Sequence, residues 1–392
     1  MAGEKHPVGY MPGYIEFFSV TYDAFSGYFT NVNCSGNWVV RWFEDLKAHA
    51  HYGNCDVVVI VLLSIMWTIL RVVATRQLFE PLARKLNVQE KNCGKFPESA
   101  WKFIFYSFTW SYNLYIVVCC GRYTFFHDPL SGWHGWAEGM YIPSDIFWLY
   151  MIQCSFYLHS VYGTLFMDAW RKDSVIMLFH HFLTLALIWF SYAARYHKIG
   201  ALVLLLHDVT DVELEFTKLN TYMRYRNNKK YIVHEYLANV GFLLFALSWF
   251  LFRLYWFPLK VLYTAGYGAM LRDPTYVPFW FFFNVLLWIL QLMNVYWFQF
   301  IVVFLYKVAT GQMTEMVDTR EYDSDNASSK LQQKTAAVNG VLREQSSGMS
   351  AIMEEEKCRN GAGPDGVRMN GTSPAATAAY KRNVATQDAA AE

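Results

Sequence analysis

The sequence predicts an all-α polytopic membrane protein with about seven transmembrane helices, of which the last six form one bundle. Charged residues make up only 17% of the 392 residues, against roughly 25% in an ordinary soluble domain, while 54% are hydrophobic and 19% aromatic. The apolar residues also cluster in runs of about 20 residues, the length that crosses a hydrocarbon core of roughly 30 Å. Both observations argue against a soluble globular fold.

Charge and cysteine usage narrow the function classes further. The formal net charge is +1, so no broad basic or acidic field indicates a nucleic-acid partner. The seven cysteines include no CxxC pair and no metal-ligand spacing, which excludes a zinc finger and a disulfide framework.

Along the chain, segment 1–55 mixes aromatic residues with scattered charges, which suits a lumenal cap against the bilayer surface. The first span is predicted over 56–74, and a basic cytosolic loop over 75–100 follows it. The remaining spans are expected at 101–120, 145–167, 175–194, 199–217, 236–256 and 278–306. From 317 to 392, small and polar residues dominate and predict a disordered cytosolic tail.

The orientation follows from Lys and Arg, which are in excess in cytoplasmic loops. Loops 75–100, 168–174 and 218–235 carry most of the loop cations and lie on one side of the seven-span arrangement. The N-terminus is therefore predicted to be lumenal and the C-terminus cytosolic. Asn33 opens an Asn-Cys-Ser sequon on the lumenal side, which predicts glycosylation there.

Ionisable residues inside the fourth and fifth spans are the most informative feature. They are His180, His181, His207, Asp208 and Asp211. An Asp or Lys at a helix centre costs about 2.5 to 3.5 kcal/mol on insertion scales, so such residues are functional candidates by default. The alternative is that they pair with one another only to hold the bundle together.

Helical geometry brings this set together. Asp211 shares a helix face with His207, Asp208 and Glu215 through spacings of four, three and four residues. His180 lies about 8 Å and Asp211 about 9 Å from the cytosolic ends of their antiparallel helices, at 1.5 Å per residue. A histidine held by a carboxylate makes a good general base or nucleophile near neutral pH, which suits acyl transfer.

Other polar residues are candidate substrate contacts. Arg171 and Lys172 at the cytosolic mouth could hold phosphates, although the orientation rule explains them without a ligand. Interhelical packing explains the polar residues of the third and seventh spans equally well. These residues are Ser155, His159 and Tyr162 in the third span and Asn284, Gln291 and Asn294 in the seventh.

The residues around the histidines resemble the signature segment of the ceramide synthases, within the wider TRAM-LAG1-CLN8 (TLC) lipid-sensing domain family. The shared positions are His180-His181-Phe182, Ser191-Tyr192, Gly200, Leu206-His207-Asp208, Asp211, Glu215 and Lys218. The likeness begins near Pro97 and continues through Arg320-Glu321-Tyr322-Asp323, a little over half of the chain. It implies a catalytic TLC domain over 97–311.

The resemblance implies N-acylation of sphinganine or sphingosine by a fatty acyl-CoA in the endoplasmic reticulum membrane. Acyl-CoA is then a cosubstrate, no resident cofactor is needed, and membrane lipid and a homo- or heterodimer are the expected partners. The short loop 75–100 replaces the homeobox-like insertion of many vertebrate members. In the absence of that insertion and in the sequence from Phe252 to Lys260, the chain resembles the subtype associated with stearoyl-CoA (C18). The family also implicates segment 257–277 in chain-length choice.

Residue chemistry and resemblance then predict one site. His180 is expected to be the principal catalytic residue, either as base or as acyl-accepting nucleophile, with Asp211 orienting it. His181, His207 and Asp208 complete the polar centre.

Two rival functions remain open at this point. A membrane metallo-oxygenase would use His and Asp as ligands, but such enzymes carry about eight histidines in repeated boxes, whereas this chain has one His-His pair. A non-enzymatic lipid-binding or translocon-associated TLC protein is the other rival. Such proteins often lack the full His-His and His-Asp-x-x-Asp set that is present here.

Overall fold

The computed structural model describes residues 9–31, 38–227, 229–272 and 277–310. Asn33 and the tail 317–392 lie outside the described residues, so the predictions made for them stay predictions. In the described part the fold is an all-α membrane bundle, which confirms the predicted fold class, with one short β-ribbon of β1 (Tyr225–Arg226) and β2 (Lys229–Lys230).

The helices follow the predicted spans closely. The first half of the chain forms α1 (Tyr14–Asn31), α2 (Trp38–His49), α3 (Asn54–Ala74), α4 (Glu80–Lys85), α5 (Glu90–Cys93) and α6 (Lys95–Leu114). The second half forms α7 (Ser144–Phe166), α8 (Ser174–Ala193), α9 (His197–Met223), α10 (Ile232–Ser248), α11 (Ala269–Arg272) and α12 (Trp280–Ala309). A 3₁₀ turn covers Pro129–Trp133, and π-helices cover Thr75–Phe79, Tyr115–Cys119, Trp249–Leu262 and Thr264–Gly268.

Four helical stretches in the described residues are long and apolar enough to cross a bilayer. They are Asn54–Lys85, Ser174–Ala193, Ile232–Leu271 and Trp280–Ala309. Helices α6, α7 and α9 occupy the other three predicted spans and have sufficient length, but they carry more polar side chains. Helices surrounded by protein need less apolar surface than helices that face lipid, so these three suit the interior of the bundle. The total of seven spans stays a prediction.

The segment between the first two spans differs from the predicted loop. The helix of the first span continues through the π-helix Thr75–Phe79 into α4, and α5 follows before α6. Phe79 and Ala83, four residues apart, are both buried in a cluster that includes Trp101 and Phe105 of α6. Spacing of three or four residues puts apolar side chains on one helix face, and burial of that face keeps the segment helical.

Helix α9 lies at the centre, packed on α6 and α10, while α7 packs against α8 and α3. Helix α3 docks through polar contacts and leaves most of its apolar surface exposed. Trp67 Nε1 donates to Ser155 Oγ at 3.0 Å, and Thr68 Oγ1 hydrogen-bonds His159 Nδ1 at 2.9 Å. Because apolar contact between helices gains little over contact with lipid, such polar pairs select the partner of α3.

A buried charge network lies next to these contacts, at the end of α3. Arg71 of α3 pairs with Asp168, Lys102 lies 2.8 Å from both Asp168 and Glu98, and Arg171 lies 3.0 Å from Glu98. Burial by itself would raise the pKa of Glu98, but Lys102 and Arg171 outweigh burial and lower that pKa to about 2. The network joins α3, α6 and the segment that leads into α8, which carries the two histidines.

We expect Glu98→Gln to lower the melting temperature at pH 7, because it removes a buried carboxylate that pairs with both Lys102 and Arg171. A carboxyl whose pKa is depressed stabilises the fold above its unfolded pKa, near 4.5, and loses that stabilisation as the pH falls toward 2. The difference between wild type and variant should therefore shrink across this range, measured by thermal unfolding in detergent.

Glu80→Gln is the matched control, because Glu80 also pairs with a cation four residues later, Arg84, but at an exposed site. Such a pair is worth about 0 to 1 kcal/mol, so a small and salt-sensitive effect is expected. Equal losses in the two variants at pH 7 would contradict the stabilising role assigned to the buried network.

Candidate active site

A cavity runs through the bundle between α7, α8, α9, α12 and the long π-helix Trp249–Leu262. Its volume is ≈ 820 Å³ with the open space at its mouth included. On α9 the lining extends from Ile199 to Asp211. Twelve steps of 1.5 Å along the helix make this wall about 18 Å long.

The two ends of the cavity differ in chemistry. One end carries His180, His207, Asp211 and Arg253, with Tyr157 beside them. The middle is lined by aliphatic side chains, namely Leu187, Ile188, Val203, Leu204, Leu287 and Leu290. The far end is largely aromatic, with Trp133, Tyr196, Trp280 and Phe283. A polar head with a long apolar body would match these walls.

Antiparallel packing of α8 and α9 brings the polar residues to one end. His180 is the seventh residue of α8, and Asp211 is in the second half of α9. Both side chains line the cavity, together with His207 one turn before Asp211. The predicted meeting of these three residues therefore follows from two helices of opposite direction.

The partner of Asp211 differs from the expected one. Arg253 Nη2 donates to Asp211 Oδ1 at 2.9 Å and to the carbonyl oxygen of His207, also at 2.9 Å. His180 Nδ1 is buried and has no hydrogen-bond partner among the described residues. The His180 ring instead packs edge-on against Trp297, with centroids 5.4 Å apart. A carboxylate inside the membrane gains more from a full cation than from a neutral imidazole, so Arg253 takes it.

Hydrogen bonds hold the His207 ring at both nitrogens. Its Nδ1 lies 2.9 Å from the carbonyl oxygen of Val203, and its Nε2 lies 3.2 Å from Asn294 Nδ2. A carbonyl only accepts and an amide nitrogen only donates, so we assign the proton to Nδ1 and the lone pair to Nε2. With both nitrogens occupied, His207 is less available for chemistry than His180.

Two of the predicted catalytic residues point away from the cavity. His181 is buried against Tyr157, with ring centroids 6.0 Å apart, and does not line the cavity. Asp208 is buried on another face of α9, where it accepts a hydrogen bond of 2.5 Å from Gln153 Nε2. Adjacent residues on a helix point about 100° apart, and the rotation of α8 and α9 turns His180 and His207 toward the cavity and His181 and Asp208 away from it.

Of the predicted substrate contacts, only Asn284 lines the cavity. Its Nδ2 donates to the carbonyl oxygens of Ala265 and Trp280 at 3.2 and 2.8 Å. His159 contacts α3, Arg171 pairs with Glu98, and Tyr162 is exposed beside Phe166. Lys172 is exposed, and Gln291 is buried away from the cavity walls.

Arg253 is the residue that the sequence reasoning missed. It lies in the long π-helix, is buried, and holds its guanidinium carbon 4.0 Å from the centroid of the Trp249 ring. The available signal was its position as the one charged residue in the predicted span 236–256, since intramembrane charges mark functional sites by default. A π-helix of 14 residues is also unusual, because such turns are rare and concentrate at functional sites.

Comparison with known proteins identifies relatives over most of the chain. The TLC domain family matches residues 95–303. Human ceramide synthase 1 is 50% identical over 301 residues, which cover 76% of this chain and 85% of the human protein. Mouse ceramide synthase 1 is 50% identical over 279 residues, covering 71% and 79%. Bovine ceramide synthase 4 is 35% identical over 257 residues, covering 62% and 59%.

We expect Arg253→Met to destabilise the protein by about 3 to 5 kcal/mol, because it leaves the Asp211 carboxylate unpaired in the bundle. Asp211→Asn added to Arg253→Met should recover much of this loss, since the double variant buries no charge at the pair. The coupling is measured by a double-mutant cycle on chemical or thermal unfolding in detergent.

Lys260→Met is the matched control, because Lys260 lies in the same π-helix but donates to the carbonyl oxygen of Phe126 rather than to a carboxylate. Its effect should add to that of Asp211→Asn without coupling. Additive effects for the Arg253 and Asp211 variants would show that the pair does not stabilise the fold.

Proposed function

Because the chain belongs to the TLC domain family of ceramide synthases, we propose that it transfers the acyl group of a fatty acyl-CoA to the amino group of sphinganine or sphingosine. The products are dihydroceramide or ceramide and free CoA. The observation that carries the proposal is the cavity, whose lining places His180, with its unpartnered Nδ1, at one end of a long apolar channel. A reactive group and a lipid chain are thus accommodated in one site.

The reaction requires a proton acceptor at the polar end. The sphingoid amine is protonated at neutral pH and must lose a proton before nitrogen attacks the thioester carbon. The C–S bond then breaks, the C–N bond forms, and the thiol of CoA leaves. We assign His180 as the catalytic residue, either as the base for the amine or as the nucleophile that first accepts the acyl group. Its support is that it lines the cavity with Nδ1 unoccupied.

The developing negative charge on the carbonyl oxygen needs donors or a cation. We assign this role to Arg253, which lines the same end of the cavity as His180 and has a buried Nε without a partner among the described residues. Asp211 holds the guanidinium in position and offsets its charge before substrate binds. His207, His181 and Asp208 position the helices around this centre through the contacts described above.

The apolar middle of the cavity is proposed to hold the acyl chain. Each methylene transferred from water to an apolar wall contributes about 0.8 kcal/mol, so a channel of fixed length discriminates between chain lengths. Preference for stearoyl-CoA rests on the resemblance to the C18-associated subtype, and the aromatic far end with Trp133 and Trp280 offers a physical limit to the channel.

The setting proposed for this reaction is the endoplasmic reticulum membrane. Family membership and the loop charges support a lumenal N-terminus with glycosylation at Asn33 and a cytosolic C-terminus. In that orientation the ion network and the polar end of the cavity lie toward the cytosol, where Arg171 and Lys172 are proposed to meet the phosphates of acyl-CoA. A homo- or heterodimer is proposed on the family resemblance alone.

We expect membranes that contain the wild-type chain to form dihydroceramide from sphinganine and acyl-CoA, with the highest rate at C18 among chains from C14 to C26. His180→Ala should lower the rate at least about a hundredfold, the lower limit for loss of a general base. Lipid mass spectrometry at matched expression measures both results.

His127→Ala serves as the control, because His127 is exposed and outside the cavity lining, and it should keep the wild-type rate. A His180→Ala variant with normal turnover would refute the assigned base or nucleophile. A wild-type chain inactive with every acyl-CoA would refute the reaction and favour a lipid-binding TLC protein.

We expect Leu187→Trp to shift the preference toward shorter acyl chains, because the larger ring fills the middle of the channel. Loss of room for two methylenes corresponds to about 1.6 kcal/mol, or roughly a tenfold change in the ratio of C16 to C18 rates. Competition between the two acyl-CoAs measures the ratio.

Leu292→Trp is the matched control, since Leu292 is exposed on the outer face of α12, and its ratio should stay at the wild-type value. An unchanged ratio in Leu187→Trp, with the rate retained, would show that the acyl chain does not occupy this channel.

A further inference from the structure

Helix α1 presents three distinct faces. Phe17, Phe25 and Tyr28 point toward the bundle. Exposed polar side chains form a second stripe at spacings of four, three and four residues, namely Ser19, Asp23, Ser26 and Thr30. Exposed apolar side chains form a third stripe at spacings of three, four and seven residues, namely Ile15, Phe18, Tyr22 and Phe29. All these spacings keep a stripe on one helix face.

The inward face packs on the outer side of the cavity wall. Tyr28 and Phe25 contact the ring of Trp280, which lines the cavity, with centroids 5.1 and 5.0 Å apart. Nearer the start of α1, Phe17 stacks on Trp288 at 5.9 Å and is fully buried. As α1 proceeds, its contacts on α12 run from Trp288 back to Trp280. The two helices are therefore side by side and opposite in direction.

The apolar stripe is too exposed for a helix that meets only water. Ile15 is 90% exposed, Phe18 58%, Tyr22 73% and Phe29 59%. No charged residue interrupts these four positions, whereas Asp23 lies on the polar stripe. A helix with separate apolar and polar exposed faces is typical of one that borders both acyl chains and water.

The stripe continues into surface that faces lipid. One turn beyond Trp288, Leu292 of the candidate span α12 is 65% exposed. Tyr14 OH donates to the carbonyl oxygen of Leu254 at 2.7 Å. Leu254 belongs to the candidate span Ile232–Leu271, in which Leu251 and Leu247 are exposed. Helix α12 has 30 residues, so at about 45 Å it exceeds the hydrocarbon thickness by about 15 Å. At least one end of α12 therefore extends beyond the hydrocarbon, and α1 packs along its first turns.

We propose that α1 is a membrane-contacting helix beside α12, whose stripe of Ile15, Phe18, Tyr22 and Phe29 contacts the acyl chains of bilayer phospholipids. The polar stripe then faces water and headgroups, and the inward face supports the cavity wall at Trp280. This surface is independent of the acyl-transfer site, so the proposal does not rest on the proposed reaction.

Nitroxide labels test the proposal on the full-length chain in phosphatidylcholine liposomes. Single cysteines are introduced at Phe18 and Tyr22 on the apolar stripe and at Ser19 and Ser26 on the polar stripe, in a background with the native cysteines replaced. Electron paramagnetic resonance then compares collisions with oxygen, which partitions into lipid, and with a water-soluble nickel chelate. The expected ratio of oxygen to nickel accessibility is several-fold higher at 18 and 22 than at 19 and 26.

A second measurement avoids the cysteine replacements. Benzoylphenylalanine replaces Tyr22 or Ser26 in the otherwise native chain, and liposomes with radiolabelled phosphatidylcholine are irradiated. A lipid adduct from position 22 and none from position 26 is expected. Equal nickel accessibility of the two stripes would overturn the proposal. Labels at 18 and 22 protected from both oxygen and nickel, or a crosslink to protein in place of lipid, would also overturn it, because a protein partner would then cover the stripe.

Discussion

The ion pair between Arg253 and Asp211 is the interaction on which the candidate site depends. An isolated charge inside a membrane bundle costs free energy, so the burial of each residue there requires the other. The pair joins α9 to the long π-helix and also ties Arg253 to the carbonyl oxygen of His207. The π-helix Trp249–Leu262 carries Arg253 to this position. The polar end of the cavity therefore depends on this rare backbone geometry.

The cost of an unpaired polar or charged group inside the membrane also decides how helices pack elsewhere in the bundle. Helix α3 lies outside the matched TLC region, and its apolar side chains face outward, where lipid solvates them as well as protein would. Its position is therefore decided by Trp67, Thr68 and Arg71, which find partners on α7 and at Asp168. Through Asp168 and Lys102 these contacts extend to Glu98 and to Arg171, close to the start of α8.

Position in the cavity wall and hydrogen bonding together separate the histidines by role. His159 and His207 are occupied by contacts with neighbouring helices or backbone, and His181 points away from the cavity. His180 alone among these four combines a place in the cavity wall with a buried nitrogen that has no partner in the described chain. In the proposed reaction this difference makes it the residue available for proton or acyl transfer, while the others hold the shape of the site.

The sequence by itself determined the all-α membrane fold and the meeting of His180, His207 and Asp211, because helical spacing and span length depend on local periodicity alone. It could not determine the partner of Asp211, since Arg253 lies 42 residues away and reaches the carboxylate only through a π-helix. Tertiary structure likewise decided that His181 and Asp208 point away from the cavity. It also decided that His159 contacts α3 and that one apolar stripe of α1 is exposed. Which face of a helix meets cavity, protein or lipid depends on its rotation against its neighbours, and packing sets that rotation.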